Sequence, residues 1–323
     1  MSVLEDVRGI LERNRGVFLS GQAIADTLHV SRAAVWKAVR GLSEDGYGIE
    51  GVSGLGYRLR QETDVLSETG VRKYLLPETN CPSLQVYASV TSTNSLLKEA
   101  AIGGAPEGTA LIAARQTAGR GRRGRSFFSP DGTGLYISLL LRPKMSAEES
   151  TMLTTLAAVA MCEAIGELSA KSPGIKWVND IFLSGRKVCG ILTEASMDME
   201  SGGLEYAILG LGVNVYAPEG GFPAEIRDVA GCVLDAPLPD ARNRLAGTFL
   251  NAFWRRYLSG DRTGYIDAYR RLSLALGKRV TVLLPEGGKP ALVTGIDERC
   301  RLLIRYDDGT EGMLSSGEIS IRL

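Results

Sequence analysis

Histidine is nearly missing from this chain of 323 residues, since His29 is the only one. A mechanism that needs a histidine base, or a metal site built from several histidines, is therefore close to excluded. Cysteine is also sparse: the five cysteines are scattered and show no CxxC or Cys/His spacing. This pattern argues against both a disulfide framework and a zinc site, and it favours a reducing, cytoplasmic location.

The sequence also lacks an excess of charge and a long apolar run. Its 37 basic and 37 acidic residues cancel, so nucleic acid or phosphate would have to bind at a local cluster. The N-terminus lacks the basic segment and apolar core of a signal peptide. The most apolar later stretch, residues 152–165, is shorter than the roughly 20 residues that span a membrane. We therefore expect neither export nor a membrane partner.

The remaining composition is that of a globular protein with more than one domain. Hydrophobic residues make up 44% and charged residues 23% of the chain, without a disordered or collagenous bias. The length predicts two or three domains, because a single hydrophobic core rarely grows to this size. We expect an α+β multidomain protein with boundaries at residues 1–62, 63–273 and 274–323.

Residues 1–62 predict a winged helix-turn-helix. Ser20 and Ser31 are suited to cap two helices separated by a short turn, and residues 48–59 predict a two-stranded ribbon that would form the wing. The second helix would present its polar face to a major groove. The expected DNA-binding residues are Ser31, Arg32, Ala33, Trp36, Lys37, Arg40 and Arg58. A small helical dimerisation module with solvated arginines is the alternative.

Residues 63–273 predict a mixed-sheet α/β domain, and residues 274–323 predict a small β-barrel. Tight turns such as residues 184–186 connect neighbouring strands, which disfavours a doubly wound parallel sheet. Ser146 and Glu149 form a capping-box pattern that predicts a long helix ending near Leu168. Beyond Arg279, five short strands alternate with turns at residues 286–288 and 307–309.

The most unusual segment is residues 115–125, which we call the Gly/Arg loop. It holds five arginines, three glycines and no acid. Forked guanidinium groups bind phosphate in a bidentate manner, and glycine lets the backbone approach a ligand closely. A phosphate-binding loop and a basic loop that is solvated or binds nucleic acid are both open at this point.

A dinucleotide-binding motif is the wrong interpretation of this loop. Residues 119–124 match the spacing GxGxxG, but the motif requires a helix to follow and an acid at the end of the next strand. Residues 127–132 predict a turn instead, and Glu148 and Glu149 lie at the start of a helix.

Four further motifs accompany the loop in a fixed order. They are Ser92-Thr93-Asn94, the segment from Lys176 to Asp180, the segment from Arg186 to Leu192, and the segment from Gly210 to Asn214. With these five motifs the chain resembles the biotin protein ligases. Its N-terminal helix-turn-helix makes it similar to the bifunctional ligases that also repress biotin-synthesis genes. The resemblance implies a class II synthetase-like catalytic domain and an SH3-like C-terminal barrel.

The resemblance also implies a two-step reaction. ATP and biotin would give biotinyl-5'-adenylate and pyrophosphate, and a lysine of a biotin carboxyl carrier domain would then take the biotinyl group. A carboxylate is already ionised at neutral pH, so it can attack the α-phosphate without a histidine base. Cationic side chains with Mg²⁺ would offset the phosphate charge. Binding of operator DNA, with homodimerisation on adenylate binding, completes the implied activity.

Matching the motif positions assigns a role to individual residues. Catalytic roles fall to Lys187, Arg122, Lys176 and Asp180, and Asp180 is also the candidate ligand for Mg²⁺. The implied biotin-binding residues are Ser92, Thr93, Asn94, Gln116, Arg120, Gly121, Arg122, Lys187 and Gly190. The implied ATP- and adenylate-binding residues are Gly119, Arg122, Arg123, Arg125, Phe127, Lys176, Asn179 and Asn214.

Some of these positions have a simpler interpretation, and some depart from the family pattern. Ser92 could cap a helix that begins near Asn94, and Lys176 and Asp180 could form an ordinary surface ion pair. Val178 stands where proline is usual, Phe127 where tryptophan is frequent, and Cys189 where a small residue is usual.

Two other functions compete with the bifunctional ligase. A repressor that binds biotin or its adenylate without catalysis would not need the cations Lys187, Lys176 and Arg122, all of which are present. A lipoate-type ligase would need an apolar pocket where Ser92, Thr93 and Gln116 offer polar groups.

Overall fold

The computed structural model describes residues 2–198, 202–284, 287–315 and 318–320. The chain forms two compact units: the first contains residues 1–75 and 236–247, and the second contains residues 76–235 and 248–323. The division predicted at residues 62 and 273 stays a prediction.

The first unit contains the predicted winged helix. Its elements are α1 (Val3–Arg13), α2 (Gly21–Leu28), α3 (Arg32–Glu44), β1 (Ile49–Val52), β2 (Gly56–Leu59) and α4 (Glu68–Arg72). Ser20 and Ser31 accept hydrogen bonds from the backbone amides of Ala23 and Ala34, so both predicted caps are confirmed. The turn between α2 and α3 is made by His29, which adopts a left-handed conformation with φ of 54°.

A buried ionic cluster holds α1 to the other segments of the first unit. Glu12 and Asp240 are each only 2% exposed. Arg15 Nη2 lies 2.8 Å from both Glu12 Oε2 and Asp240 Oδ1, and Lys73 bonds Asp240 as well. The cations offset the cost of removing two carboxylates from water. Residues 63–75 and 236–247 therefore fold with the winged helix.

The second unit is built on a seven-stranded mixed sheet. Its elements up to residue 214 are β3 (Leu84–Tyr87), α5 (Thr93–Ile102), β4 (Ala110–Ala113), β5 (Gly134–Leu141), α6 (Thr151–Ser169), β6 (Gly174–Lys176), β7 (Asp180–Leu183), β8 (Arg186–Met197) and β9 (Leu204–Asn214). The strand order is β3-β4-β5-β9-β8-β7-β6. Only β3 and β4 run parallel, which confirms the predicted mixed sheet.

Helix α6 forms much of the core beneath this sheet. The predicted capping box of Ser146 and Glu149 is present, but it opens a 3-10 turn over Ala147–Ser150 before α6 begins. Residues 148–169 are long and apolar enough to cross a membrane by length and composition alone, yet 78% of the most apolar window is buried inside the structure. Such burial is typical of a core helix.

The chain continues with two helices and a C-terminal sheet. These elements are α7 (Ala241–Ser259), α8 (Arg262–Leu272), β10 (Arg279–Leu284), β11 (Gly287–Ile296), β12 (Leu302–Tyr306), β13 (Glu311–Leu314) and β14 (Glu318–Ser320). All paired strands of this sheet are antiparallel, in the order β13-β12-β11-β10-β14. The five predicted strands are therefore confirmed, and the predicted end of the last one, residues 321–322, lies outside the described residues.

Candidate functional site

One cavity of about 360 Å³ in the second unit collects most of the predicted site. The predicted residues that line it are Ser92, Thr93, Asn94, Gln116, Arg120, Gly121, Arg122, Arg125, Phe127, Lys176, Asn179, Asp180, Lys187 and Gly190. They come from strands and loops that are far apart in sequence, and the central sheet brings them together. Their convergence on one concave surface is what a ligand site requires.

Glycine backbone forms one surface of the cavity, which we call the glycine floor. Gly190 of β8 and Gly212 of β9 face each other in the strand register, and Gly210 follows on β9. A Cβ atom on Gly212 would lie 2.4 Å from the ring of Phe127, and one on Gly210 would lie 2.1 Å from Asn94 Oδ1. Real Cβ atoms do not approach other atoms so closely, so glycine is required at both positions if Phe127 and Asn94 keep their places.

A hydrogen-bonded group of hydroxyl and amide side chains forms one wall. Gln116 Oε1 accepts from the backbone amide of Thr93 at 2.9 Å and from its hydroxyl at 3.1 Å, while Gln116 Nε2 donates to Ser129 Oγ at 3.1 Å. Ser138 Oγ lies 2.7 Å from Thr93 Oγ1 and 2.6 Å from Asn94 Oδ1. We call Thr93, Asn94, Gln116, Ser129 and Ser138 the hydroxyl–amide cluster. It offers neutral donors and acceptors to a ligand that carries both.

Ser92 occupies the N-cap position of α5 but makes no side-chain capping hydrogen bond. It is only 3% exposed and lines the cavity. The capping alternative therefore lacks the hydrogen bond that would define it.

Another part of the cavity lining is charged. Lys187 Nζ lies 2.7 Å from Asp180 Oδ1, and Asn179 Nδ2 donates to the same oxygen at 3.0 Å. Arg122 Nη1 in turn donates to Asn179 Oδ1 at 2.9 Å. This chain of contacts places two cations, Lys187 and Arg122, at the side of the cavity where an anionic ligand would lie.

Lys176 does not form the ion pair with Asp180 that an ordinary surface interpretation would require. Asp180 is paired with Lys187 instead, whereas Lys176 Nζ lies 5.6 Å from the centre of the Phe182 ring. Lys176 still lines the cavity. Its ammonium group therefore stays available for a phosphate contact.

The Gly/Arg loop folds back on itself at the edge of the cavity. Gly121 N donates to Arg125 O at 2.7 Å, Phe127 N donates to Gly119 O at 2.9 Å, and a 3-10 turn spans Arg122–Gly124. These bonds aim Arg120, Arg122 and Arg125 at the cavity. The loop is thus a preformed cationic rim.

Three predicted ligand residues are not among the described lining of the cavity: Gly119, Arg123 and Asn214. Asn214 Nδ2 donates to Gly231 O at 3.0 Å. Gly119 packs so closely on Phe127 O and Ser129 Oγ that a Cβ atom would approach each to 2.5 Å. Arg123 lies in the loop with φ of 55°. Their roles as ligand contacts stay predictions.

The segment after β6 is anchored by the C-terminal half of the second unit. Trp177 Nε1 donates to Cys300 O at 2.9 Å, and Tyr269 Oη donates to Val178 O at 3.1 Å. The Trp177–Val178 peptide bond is cis. These contacts fix the backbone immediately before Asn179 and Asp180.

Cys189 is fully buried. Burial raises the pKa of its thiol well above the usual value, although nearby Lys187 acts in the opposite direction. A thiol that stays protonated is a poor nucleophile, so Cys189 belongs to the packing of β8 and not to the chemistry.

Sequence reasoning missed several residues of the site. Glu194, Ser129 and Ser138 bond the predicted residues, and Leu283, Ile319 and Ser320 of the C-terminal sheet line the cavity. Strand alternation could have identified Glu194, because positions 190, 192 and 194 share one face of β8. No local signal marks the C-terminal residues.

The predicted DNA-binding face is exposed. Ser31, Arg32, Ala33, Trp36, Lys37 and Arg40 are all accessible on α3, while Val35, Val39 and Leu42 are buried beneath them. Arg58 on β2 is held within the unit, with Nη2 at 2.6 Å from Glu50 Oε2 and its guanidinium 4.5 Å from the Phe18 ring. The exposed cations Arg32 and Lys37 of α3 are therefore less constrained than Arg58.

Family models match three parts of the chain. Residues 3–58 match the HTH domain, residues 86–214 match the biotin/lipoate A/B protein ligase family, and residues 275–322 match the biotin protein ligase C-terminal domain.

Whole proteins and a solved structure show the same likeness. The chain is 35% identical over 303 residues to the bifunctional ligase/repressor BirA of Bacillus subtilis, covering 93% of each protein. It is 30% identical over 310 residues to the protein of the same name from Escherichia coli, covering 95% of this chain and 94% of that one. The Aquifex aeolicus biotin protein ligase in complex with biotin and ATP matches 75% of this chain and 100% of its own, with a TM-score of 0.61 and 29% identity. The chain belongs to the family of bifunctional biotin protein ligase/repressors.

Proposed function

We propose that this chain attaches biotin to a lysine of a biotin carboxyl carrier domain, with ATP as the second substrate and biotinyl-5'-adenylate as the intermediate. The observation that supports this most directly is the cavity itself, whose lining combines neutral residues of the hydroxyl–amide cluster with the cations Lys187 and Arg122. Biotin has the matching polarity, with a ureido head and a carboxylate tail.

The first step joins two anions, so charge neutralisation is the main task of the protein. An oxygen of the biotin carboxylate attacks the α-phosphorus of ATP, and pyrophosphate leaves with the electron pair of the broken P–O bond. Lys187 and Arg122 are placed to offset the charge of the carboxylate and the phosphate. Lys176 and Arg125 are placed to contact the remaining phosphates.

The second step transfers the acyl group. The amine of the carrier lysine attacks the carbonyl carbon of the adenylate, AMP leaves with the bonding electrons, and the amine loses a proton as the amide forms. Asp180 is a carboxylate of the cavity lining, and it is paired with Lys187. We propose that Asp180 keeps Lys187 oriented toward the ligand.

Magnesium fits this site only as an ion that arrives with ATP. Among the described residues no group of three or more His, Cys, Asp or Glu side chains could hold a metal, and Asp180 already bonds Lys187 and Asn179. Mg²⁺ commonly binds through one or two carboxylates together with substrate phosphates and water. Asp180 would be the protein ligand, and the ion would offset phosphate charge.

We propose that the N-terminal unit binds operator DNA and represses genes of biotin synthesis, and that two copies pair when the adenylate is bound. The single recognition helix α3 can reach only a few base pairs, so a two-fold site would double its contacts. On the β7 side, no described strand pairs with β8 beyond Gly190. Such an edge can pair with a second copy. We also propose a cytoplasmic location, because both DNA and ATP would be met there.

The test of the ligase function is pyrophosphate release by purified protein with Mg²⁺ and ATP. Release should depend on biotin, and a biotin carboxyl carrier domain should gain one biotinyl group at its lysine, seen by mass spectrometry. Lipoate in place of biotin serves as the control, since the hydroxyl–amide wall favours a ureido group. Pyrophosphate release that is independent of biotin would overturn the proposal.

A further inference from the structure

Glu194 on β8 joins two parts of the site through its two carboxylate oxygens. Oε1 lies 2.9 Å from Arg120 Nη2 of the Gly/Arg loop, and Oε2 accepts from Asn94 Nδ2 at 2.9 Å. The Glu194 side chain is 30% exposed and that of Arg120 is 50% exposed, so the contact with Arg120 lies at the rim and the contact with Asn94 lies inside.

The inner contact fixes which way the Asn94 amide points. An ionised carboxylate only accepts hydrogen bonds, so the group facing it must be the NH₂ of Asn94. The amide oxygen then faces Ser138, whose hydroxyl lies 2.6 Å away. Asn94 is packed over Gly210, where a Cβ atom would meet its amide at 2.1 Å. Position and orientation of the amide are thereby both determined.

The orientation of the Asn94 amide determines the direction of the hydrogen bonds in the rest of the hydroxyl–amide cluster. Ser138 has one hydroxyl proton and lies near two oxygens, Asn94 Oδ1 and Thr93 Oγ1. Once Asn94 presents its oxygen, Ser138 donates to Asn94, and the Ser138 oxygen is left to accept from Thr93, whose single hydroxyl proton is shared between Ser138 and Gln116 Oε1 at 3.1 Å. The acceptor-only carboxylate at one end therefore sets the donor and acceptor pattern that the wall offers to a ligand.

The outer contact acts on the loop. Arg120 directly precedes the turn that Gly121 and Arg125 close by a backbone hydrogen bond, and it forms a β-bridge with Ser126 on the other side of that turn. An ion pair to a strand of the central sheet limits the positions that this turn can take. The same carboxylate bonds both Arg120 and Asn94. The hydrogen-bond pattern of the hydroxyl–amide cluster and the position of the Gly/Arg loop are therefore linked through a single side chain.

We propose that Glu194 is a positioning residue that orients Asn94 for recognition of the ligand head and holds the Gly/Arg loop over the bound adenylate. This inference rests on the proposed ligase function. It assigns no direct contact with the reacting atoms to Glu194.

Two substitutions separate the two contacts. In Glu194→Gln the amide oxygen can still accept from Asn94, but the charge that holds Arg120 is lost. We expect biotin affinity within about twofold of wild type and adenylate dissociation faster by roughly two- to fivefold, the range of an exposed ion pair. In Glu194→Ala both contacts are lost, and we expect biotin affinity to fall by about tenfold or more as well.

The measurements are the biotin dissociation constant by calorimetry, adenylate release in a chase experiment, and the thermal midpoint. Glu205→Gln, a substitution of an exposed glutamate on neighbouring β9, is the matched control and should match wild type in all three. Arg120→Gln should reproduce the faster adenylate release of Glu194→Gln. The double variant should be no worse than either single one, because both remove the same contact.

The outcomes distinguish the inference from the function on which it rests. If wild-type protein forms no adenylate, the proposed function fails. If wild type forms adenylate and Glu194→Ala matches it in biotin affinity and adenylate retention, the role of Glu194 is overturned. Equal losses in Glu194→Gln and Glu194→Ala would overturn the assignment of separate tasks to the two carboxylate oxygens.

Discussion

At the scale of single residues, the pairing of Lys187 with Asp180 has a direct consequence for ligand binding. The two side chains are 32% and 24% exposed, so water screens their attraction and the pair contributes little to stability. A ligand carboxylate would enter beside an ammonium group that a protein carboxylate already orients. Lys187 is thus placed for binding by charge and not for packing.

Lys187→Ala should therefore weaken biotin binding by about tenfold or more, since a hydrogen bond to a charged partner is lost. The thermal midpoint should stay close to that of wild type. Lys98→Ala, which removes an exposed lysine of α5, is the control. Calorimetry measures the biotin dissociation constant. Wild-type affinity for biotin in Lys187→Ala would show that this residue does not belong to the site.

Arg122→Gly should let the activated adenylate escape while the fold is kept. The guanidinium of Arg122 lines the cavity and donates to Asn179, so its loss removes a charge and no core packing. Release of labelled adenylate into a chase of unlabelled biotin measures the effect, with Arg299→Gly, at an exposed arginine outside the site, for comparison. Unchanged retention would contradict the assignment of the loop as an adenylate clamp.

At the scale of the elements, α3 separates its two tasks by face. Val35, Val39 and Leu42 are buried and hold the helix in the unit, whereas Arg32 and Lys37 are exposed. Arg40 is paired with Glu44 at 3.0 Å and Arg58 with Glu50. Arg32 and Lys37 are therefore the better candidates for phosphate or base contacts.

Arg32→Ala or Lys37→Ala should weaken operator binding and leave ligation unchanged. Loss of a phosphate contact should also reduce the slope of log affinity against log salt by about one. Gel-shift titrations at several salt concentrations test this, with Arg72→Ala on α4, where Arg72 is exposed, as the control. Normal DNA binding by both variants would leave the helix without a demonstrated role.

The end of α1 carries a pH-dependent contribution to stability. Burial raises the pKa of the Glu12 carboxyl above its ordinary value of 4.5, although Arg15 acts in the opposite direction. The folded state then holds this proton more tightly than the unfolded state does. The contribution is fully present below about pH 4.5 and is lost as the pH rises through the folded pKa.

Glutamine does not ionise, so Glu12→Gln should not lose stability in this way. As the pH increases from about 4.5, the free energy of unfolding of the variant should therefore rise relative to that of wild type. Denaturant unfolding at a series of pH values gives the difference. Glu44→Gln, which alters an exposed glutamate of α3, should show no such trend. A constant difference between Glu12→Gln and wild type would contradict the role of burial.

The elements also show which features sequence could predict. Caps and alternation are local, so Ser20, Ser31 and the order of the C-terminal strands were predicted correctly, although β11 already begins at Gly287, within the predicted turn at residues 286–288. The ion pair of Asp180 with Lys187 was not predicted, because a register shift lies between Ile181 and Phe182 in the pairing of β7 with β8. Asp180 faces Gly190 there, and Lys187, which is paired with Phe182 two residues further along β7, reaches Asp180 with its side chain. Spacing along the chain does not record such a shift.

At the scale of the whole molecule, the proposed adenylate-dependent pairing of two copies would link ligation to DNA binding. Residues 192–197 of β8 have no described strand partner on the β7 side, and Met197 is 52% exposed. The same strand carries Lys187 and Glu194. A ligand bound against Lys187 and the Gly/Arg loop would therefore lie on the same strand as the edge that a second copy would use.

Met197→Lys should prevent adenylate-dependent dimerisation and weaken operator binding, because a charge on a strand edge disfavours pairing. Adenylate formation by the monomer should persist. Sedimentation with and without biotin and ATP measures the change, and Met313→Lys, at a methionine of similar exposure on β13, is the control. Dimerisation that is unaffected by Met197→Lys would place the interface elsewhere.

The glycine floor limits how this protein can change over evolution. A pocket lined by side chains can be enlarged or reshaped by exchanging them, so its ligand range can drift. At Gly190, Gly210 and Gly212 no smaller residue exists, and an added methyl group would meet Phe127 or Asn94. Substitution at these positions can therefore only reduce the volume of the cavity. Acceptance of a bulkier vitamin analogue therefore has to arise in the walls, where Phe127 and the hydroxyl–amide cluster can still vary.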